Sequence, residues 1–298
     1  MLSRVDEIID SFLDDLKSDE VKDLYKEITS GKKLRAKLIL KIADFSDKAY
    51  VLAAIVEMIQ VASLLHDDVI DEADMRRGKS SINALFGDKT AIMLGDILYS
   101  KAFFELNSLP PFVAKSISNA VSKLSIGELL DVELSKSFND DEDRYFDMID
   151  KKTASLIEAS AESAAYLCDK DSDKFALYGK NLGLAFQVVD DILDITQDSK
   201  TLGKPSMHDF KEGKTTLPYI HLYKRLPESD KDRLISLFKC DLIQEDRDWI
   251  KERMDRYGSL EESSNIAKAL AKEAIESIKE YKDSDLEKII VDMTQREY

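Results

Sequence analysis

Helix breakers are scarce in this chain. Its 298 residues include only five prolines and ten glycines. All five prolines (Pro110, Pro111, Pro205, Pro218 and Pro227) come after residue 109, so long stretches can run as uninterrupted helix. Cysteine is scarce as well. Cys168 and Cys240 have no metal-ligand spacing, which excludes a cysteine zinc site and a disulfide scaffold and fits reduced thiols carried in helices of a cytoplasmic protein. Excess positive charge is missing. A net charge of −16 would repel a phosphate backbone, so nucleic acid is excluded as a partner. Long apolar runs are missing too: acids interrupt MLSRVDEIIDSFLDDLKSDE every few residues, and no later run reaches roughly 18 residues. No signal peptide or transmembrane segment is expected, and no strongly basic amphipathic helix points to a membrane surface.

What the chain does have is apolar residues at three- and four-residue spacing. Val51, Ile55, Met58, Ile59, Ala62 and Leu65 form one such stripe. The pattern predicts helices near 2–17, 34–43, 48–70, 89–107, 111–136, 143–167, 173–196, 215–225, 229–238, 243–256, 260–281 and 284–294. Strand signals are nearly absent, so the fold class is all-α, with one domain over 1–298 as the simplest organisation. Loop residues interrupt the pattern at 72–88 and at 198–214, each time directly after a cluster of aspartates.

The first cluster lies in LLHDDVIDEADMRRG, residues 64–78. Asp67 and Asp71 are four apart and share one helix face, with Asp68 beside them. Without a cation these carboxylates repel. Oxygen ligands on one face suit Mg²⁺, which takes one or two carboxylates and completes its shell with water and phosphate. The pattern recurs once, in FQVVDDILDIT, with Asp190, Asp191 and Asp194. Cations follow both copies: Arg76 and Arg77 after the first, Lys204, Lys211 and Lys214 after the second. The bland alternative is a set of surface ion pairs, worth little in water. It leaves unexplained why acids sit at helix C-termini, where they oppose the macrodipole. A third basic group, Lys32, Lys33, Arg35 and Lys37 in SGKKLRAKL, is by itself an ordinary solvated face. A site for two diphosphates, however, needs metals bridging one of them to carboxylates and arginine or lysine donors for the other.

Taken in order, GKKLR at 31–35, LLHDDVIDEADMRRGK at 64–79, KT at 152–153, FQVVDDILD at 186–194 and GKPSMHDFKEGKTTLP at 203–218 resemble the trans-polyprenyl diphosphate synthases, most closely their long-chain, octaprenyl diphosphate synthase-like branch. The resemblance implies an isoprenoid synthase fold, antiparallel helices around a central substrate cavity, as a homodimer. It implies a head-to-tail condensation in which an allylic diphosphate loses its leaving group and isopentenyl diphosphate attacks the cation. Mg²⁺ would be held by Asp67, Asp71 and Asp190, three ions with substrate bound, with Asp68, Asp191 and Asp194 as outer or water-mediated ligands. Lys32, Arg35 and Arg77 would bind isopentenyl diphosphate, with Gln60 where many relatives have histidine. Arg76, Lys152, Lys204 and Lys214 would bind the allylic diphosphate. Thr153 and Gln187 would line the reacting centre, and the departing diphosphate would take the proton. Ser30, Ala36 and Met207 depart from the family pattern; a glycine with positive φ at 207 would leave methionine strained.

Ser63, Ala62 and Ile59 lie four, five and eight residues before Asp67, along the path of a growing prenyl tail. Farnesyl-making relatives carry an aromatic floor there, and this chain does not. The expected product is therefore about octaprenyl diphosphate, for quinone side chains and passed to a membrane enzyme. Farnesyl or geranylgeranyl synthesis is the alternative if Tyr99, Phe103 or Phe104 closes the tunnel. A terpene cyclase would not need the Lys32, Arg35 and Arg77 group. The non-catalytic subunit of a heteromeric synthase would typically lack one aspartate cluster, and both are intact. Ala62→Phe is predicted to shorten the product when the dephosphorylated alcohols are sized; an unchanged product would reject this tunnel direction.

Overall fold

Serines start several of the helices. Ser18, Ser46 and Ser81 each accept the backbone N–H three residues on, from Val21, Ala49 and Ala84, satisfying donors that the first turn leaves open. The structure is a computed structural model and describes residues 1–29, 31–197 and 206–294, the side chains of 292–294 excepted. It is all-α. In order come α1 (Leu2–Asp14), α2 (Asp19–Glu27), α3 (Leu34–Ile42), α4 (Asp47–Ile70), a two-stranded hairpin of β1 (Met75–Arg76) and β2 (Lys79–Ser80), α5 (Ile82–Phe86), α6 (Asp88–Leu106) and α7 (Pro111–Leu134). Then follow α8 (Glu142–Ile149), a π-helical turn (Asp150–Ala154), α9 (Ser155–Tyr166), α10 (Ser172–Thr196), α11 (His208–Lys211), α12 (Leu217–Arg225), α13 (Glu228–Leu237), α14 (Gln244–Tyr257), α15 (Ser259–Ser277), a 3₁₀ turn (Lys279–Tyr281) and α16 (Ser284–Thr294).

The chain packs as two compact units: Met1–Val121 with Leu156–Ala176, and Ser122–Ser155 with Leu177–Tyr298. In the first, α4 is the axis and packs on α1, α3 and α6. Leu52, Ala53, Ala54, Ile55, Val56, Met58 and Ile59 are all fully buried, so the helix is covered on every side. By length and composition α4 is apolar enough to cross a membrane, with a mean hydropathy of 1.7, but 72% of that window is buried inside the protein, as befits a core helix. In the second unit, Leu184, Val188, Val189, Ile192 and Leu193 of α10 pack with Tyr145, Ile149, Leu217 and Ile220. A neighbouring cluster joins Met207, Phe210, Tyr219, Trp249 and Met254.

The structure departs from the sequence reading in several places. α2 and α5 were not foreseen, nor was the hairpin inside 72–88. The helix predicted over 2–17 stops at Asp14, and the one over 143–167 is interrupted by the π turn. Both cysteines are free, but each sits in the turn after a helix (α9 and α13) rather than within one.

Met207 has φ 61° and ψ 32°, the left-handed region foreseen for a glycine. Its side chain is nevertheless 1% exposed and belongs to the Phe210 cluster. A left-handed residue costs about 1–2 kcal/mol, while deleting a buried methionine side chain costs about 2–5 kcal/mol. Packing therefore outweighs strain. Met207→Gly is expected to lose about 1–3 kcal/mol in a denaturant titration; a variant as stable as the parent would show that the backbone, not the core contact, dominates.

Candidate active site

In the first unit, α4 ends in its three aspartates with no basic residue in the last turn. Asp67 and Asp71 are partly exposed, and the Asp71 N–H donates to the Asp67 carbonyl at 2.8 Å. Asp68 is 3% exposed and receives Arg76 on one oxygen, with Nε at 2.6 Å and Nη2 at 2.5 Å. Burial pushes the Asp68 carboxyl above its ordinary range, and Arg76 pulls it only part of the way back. The last carbonyls of α4 are satisfied from the loop: Asp68 O accepts from Ala73 N at 2.8 Å and from Asn83 Nδ2 at 3.2 Å. Ser81 and Asn83 also bind the Ala73 carbonyl, at 2.6 and 3.1 Å. Sequence reading took Asn83 only as a loop residue and passed over Ser81, although a serine just before a helix is a capping signal.

The same unit brings GKKLR onto RRG. The Arg77 guanidinium lies against Gly31, where a Cβ would stand 2.6 Å from Nη1, and it donates to Thr29 O at 3.0 Å. Lys32 is exposed, while Lys33, in the left-handed region, opens α3 and pairs with Asp6. Glu57 of α4, 8% exposed, accepts the Ala36 N–H at 3.0 Å and so caps a helix whose own first residue offers no cap. Burial draws the Arg35 guanidinium down to about 10, with Glu57 opposing the shift. Arg35 Nε and Gln60 Oε1 are both buried with no hydrogen-bond partner among the described residues. Such atoms cost about 1–3 kcal/mol each unless a ligand or water meets them.

On α4, Ile59 and Ala62 are fully buried and Ser63 is 9% exposed, its hydroxyl donating to Gln60 O. His66 packs against α6 rather than turning to the acids. Its Nε2 lies 3.1 Å from Ile92 O, and its ring meets Tyr99 at 5.6 Å, which in turn stacks on Phe103 at 6.1 Å. Gly95 makes the room, since a Cβ there would be 2.3 Å from that nitrogen.

In the second unit, the π turn carries Lys152 and Thr153. Lys152 Nζ sits between two acids of α7, 2.6 Å from Asp131 and 2.9 Å from Glu128. Gly127 lets α7 approach this turn; a Cβ would fall 2.2 Å from Lys152 N. Thr153 Oγ1 donates to Gln187 Oε1 at 2.8 Å, and Gln187 Nε2 donates to Asp191 at 2.9 Å. Asp190 is exposed, whereas Asp191 and Asp194 are 3% and 4% exposed. Asp191 also accepts from the buried Tyr145 hydroxyl at 2.6 Å. Burial and then Asp209 push its carboxyl well above the ordinary range. Asp194 accepts Asp209 N at 3.2 Å, and its carbonyl accepts Met207 N at 2.8 Å, so this acid ties down the following segment. Lys214 pairs with Glu212 at 3.2 Å. Lys204, like Ser30, lies outside the described residues. Tyr145, Glu128, Asp131, Gly127 and Glu57 were not singled out from the sequence.

Among the described residues no group of three or more His, Cys, Asp or Glu side chains could hold a metal ion by itself. The solvent-reachable acids are Asp67 and Asp71 one turn apart, and separately Asp190. That donor set fits a hard cation that takes few carboxylates and fills its shell with water and diphosphate, and it does not fit a closed all-protein cage.

An all-α chain with two aspartate-rich helix ends and separate groups of cations is the description of an enzyme that handles prenyl diphosphates. The profile described as Polyprenyl synthetase matches residues 18–254. The short chain isoprenyl diphosphate synthase of Methanocaldococcus jannaschii is 35% identical, covering 86% of this chain and 81% of that protein. The octaprenyl diphosphate synthase of Escherichia coli is also 35% identical, over 85% of this chain and 81% of its own. The crystal structure of octaprenyl pyrophosphate synthase from Helicobacter pylori superposes with a TM-score of 0.94 at 48% identity, covering 99% of this chain and 98% of that one. The chain belongs to the polyprenyl synthetase family and is a trans-prenyltransferase that uses isoprenyl diphosphates.

The glycine contacts separate site from scaffold. Gly127→Ala forces a methyl into backbone, so a loss of about 1–3 kcal/mol is expected in thermal or denaturant unfolding. Gly31→Ala first meets the movable end of Arg77, so stability should stay within about 0.5 kcal/mol. Equal unfolding midpoints for the two variants would contradict this division.

Proposed function

We propose that this protein is a Mg²⁺-dependent long-chain synthase, extending an allylic diphosphate with isopentenyl diphosphate to about the octaprenyl product. The observation that carries the chain length is the small, fully buried Ala62 beside Ser63 on α4, five and four residues before Asp67. The likeness to the H. pylori structure supports it.

In this reading Lys32, Arg35 and Arg77 bind the isopentenyl diphosphate, and the unpaired Gln60 Oε1 and Arg35 Nε take up partners when it arrives. Arg76, Lys152, Lys204 and Lys214 bind the allylic diphosphate, Arg76 and Lys152 exchanging the carboxylates that hold them for phosphate oxygens. Asp67, Asp71 and Asp190 hold Mg²⁺, which when bound offsets charge on the leaving diphosphate. The oxygens of Thr153 and Gln187 face the allylic cation and stabilise it. The released diphosphate accepts the proton. Exposed apolar side chains favour a homodimer: Met93, Phe103 and Phe104 on α6, and Ile126, Leu129 and Val132 on α7. The product would serve quinone synthesis through a membrane enzyme, with this chain in the cytoplasm.

A second, short-chain reading draws on the ring cluster of His66 on α4 with Tyr99 and Phe103 on α6. It also draws on the likeness to the M. jannaschii enzyme. Incubation with Mg²⁺, farnesyl diphosphate and labelled isopentenyl diphosphate, followed by sizing of the alcohols, decides between them. An octaprenyl-sized product is expected. A product ending at geranylgeranyl that lengthens in Tyr99→Ala would instead make the ring stack the floor.

A further inference from the structure

Asp191 and Tyr145 form the best-buried polar contact near the reacting centre, and the prenyl transfer outlined above gives neither a direct task. Both oxygens of Asp191 are engaged, Oδ2 by Tyr145 at 2.6 Å and Oδ1 by Gln187 Nε2 at 2.9 Å. Tyr145 is 1% exposed and Asp191 3%. Both Asp191 oxygens accept, so Gln187 is held with its NH₂ on Asp191 and its oxygen toward Thr153. Thr153 must then spend its single hydrogen on that oxygen, at 2.8 Å. Its lone pairs are left to face outward.

The direction of this chain matters chemically. An allylic cation is stabilised by oxygen lone pairs and destabilised by an N–H dipole aimed at it. A Gln187 turned the other way would offer its NH₂ to Thr153 and reverse the chain. Asp190, one residue away, is exposed.

Resting on the prenyl-transfer reading of this site, we propose that Tyr145 and Asp191 are positioning residues that fix the amide of Gln187 and the hydroxyl of Thr153, and that Asp191 is not a metal ligand. Tyr145 supplies the donor that keeps the buried acid in place. Asp191 sets which atoms of Gln187 and Thr153 meet the cation.

The test compares Tyr145→Phe and Asp191→Asn with the parent. Loss of a buried hydrogen bond to a charged group is worth about 1.5–3 kcal/mol, so kcat should fall about tenfold or more in Tyr145→Phe. Asp191→Asn can offer an N–H to Gln187 and reverse the chain, so its kcat should fall further. For both variants the KM values for the two diphosphates should stay within about twofold of the parent, since neither residue touches a phosphate site. The Mg²⁺ half-saturation should hold, as should calorimetric Mg²⁺ binding in the presence of inorganic diphosphate. Should Tyr145→Phe not fold, Asp191→Asn carries the same readings. A parent that condenses no isopentenyl diphosphate would overturn the underlying reading. An active parent with unaltered kcat in the variants, with KM raised along with the fall in kcat, or with weakened Mg²⁺ binding in Asp191→Asn, would overturn this inference alone.

Discussion

Carboxylates crowded at the C-terminal end of a helix repel one another and also face the negative end of its dipole, at about 0.3–1 kcal/mol for each misplaced charge. Both α4 and α10 accept this penalty, with three acids in the closing turns and no basic residue among them. Much of the local structure serves to contain it. One acid of the first trio and two of the second are withdrawn into the interior and given donors: Asp68 receives Arg76, Asp191 receives Tyr145 and Gln187, and Asp194 receives the Asp209 N–H. The acids left within reach of solvent, Asp67 and Asp71 on one helix and Asp190 on the other, are those whose charge a diphosphate-bound cation can use. The stability that offsets the crowding comes from the body of each helix, which is buried nearly all round.

The cationic side is built by the same economy of partners. Arg76 and Lys152 rest against carboxylates, so a phosphate that took the carboxylates' place, as proposed above, would have less side-chain entropy to remove. Glu57 plays the corresponding part beneath Arg35. It caps α3 and places a negative charge under a guanidinium that burial would otherwise disfavour.

Helix existence and the two aspartate clusters were legible from the sequence because they rest on short-range signals: the spacing of apolar residues, the scarcity of breakers, and acids four apart; the roles of the cations came from the family resemblance. The left-handed backbone at Met207 was foreseen only through the family resemblance, since a methionine gives no local signal for it. The residues overlooked, Tyr145, Glu57, Glu128, Asp131 and Asn83, matter through partners between 10 and 46 positions away, and no local pattern announces such a pairing. α2 and α5 escaped notice because each is short, and neither carries a full apolar stripe. The π turn escaped for a different reason. Its sequence, DKKTA, reads as continuous helix, and only the close approach of α7 at Gly127 shows that the helix widens there.

That widened turn carries an implication for how the family can vary. A π turn holds roughly one residue more per turn than an α turn, so from Glu142 to Tyr166 the chain contains one amino acid beyond what a straight helix of that length would need. α8 and α9 keep their own packed faces on either side, and the surplus is absorbed between them, at Lys152 and Thr153. An insertion that would ordinarily rotate half a helix out of its groove is confined to five residues. The turn carries Lys152 and Thr153, held by Asp131, Glu128 and Gln187.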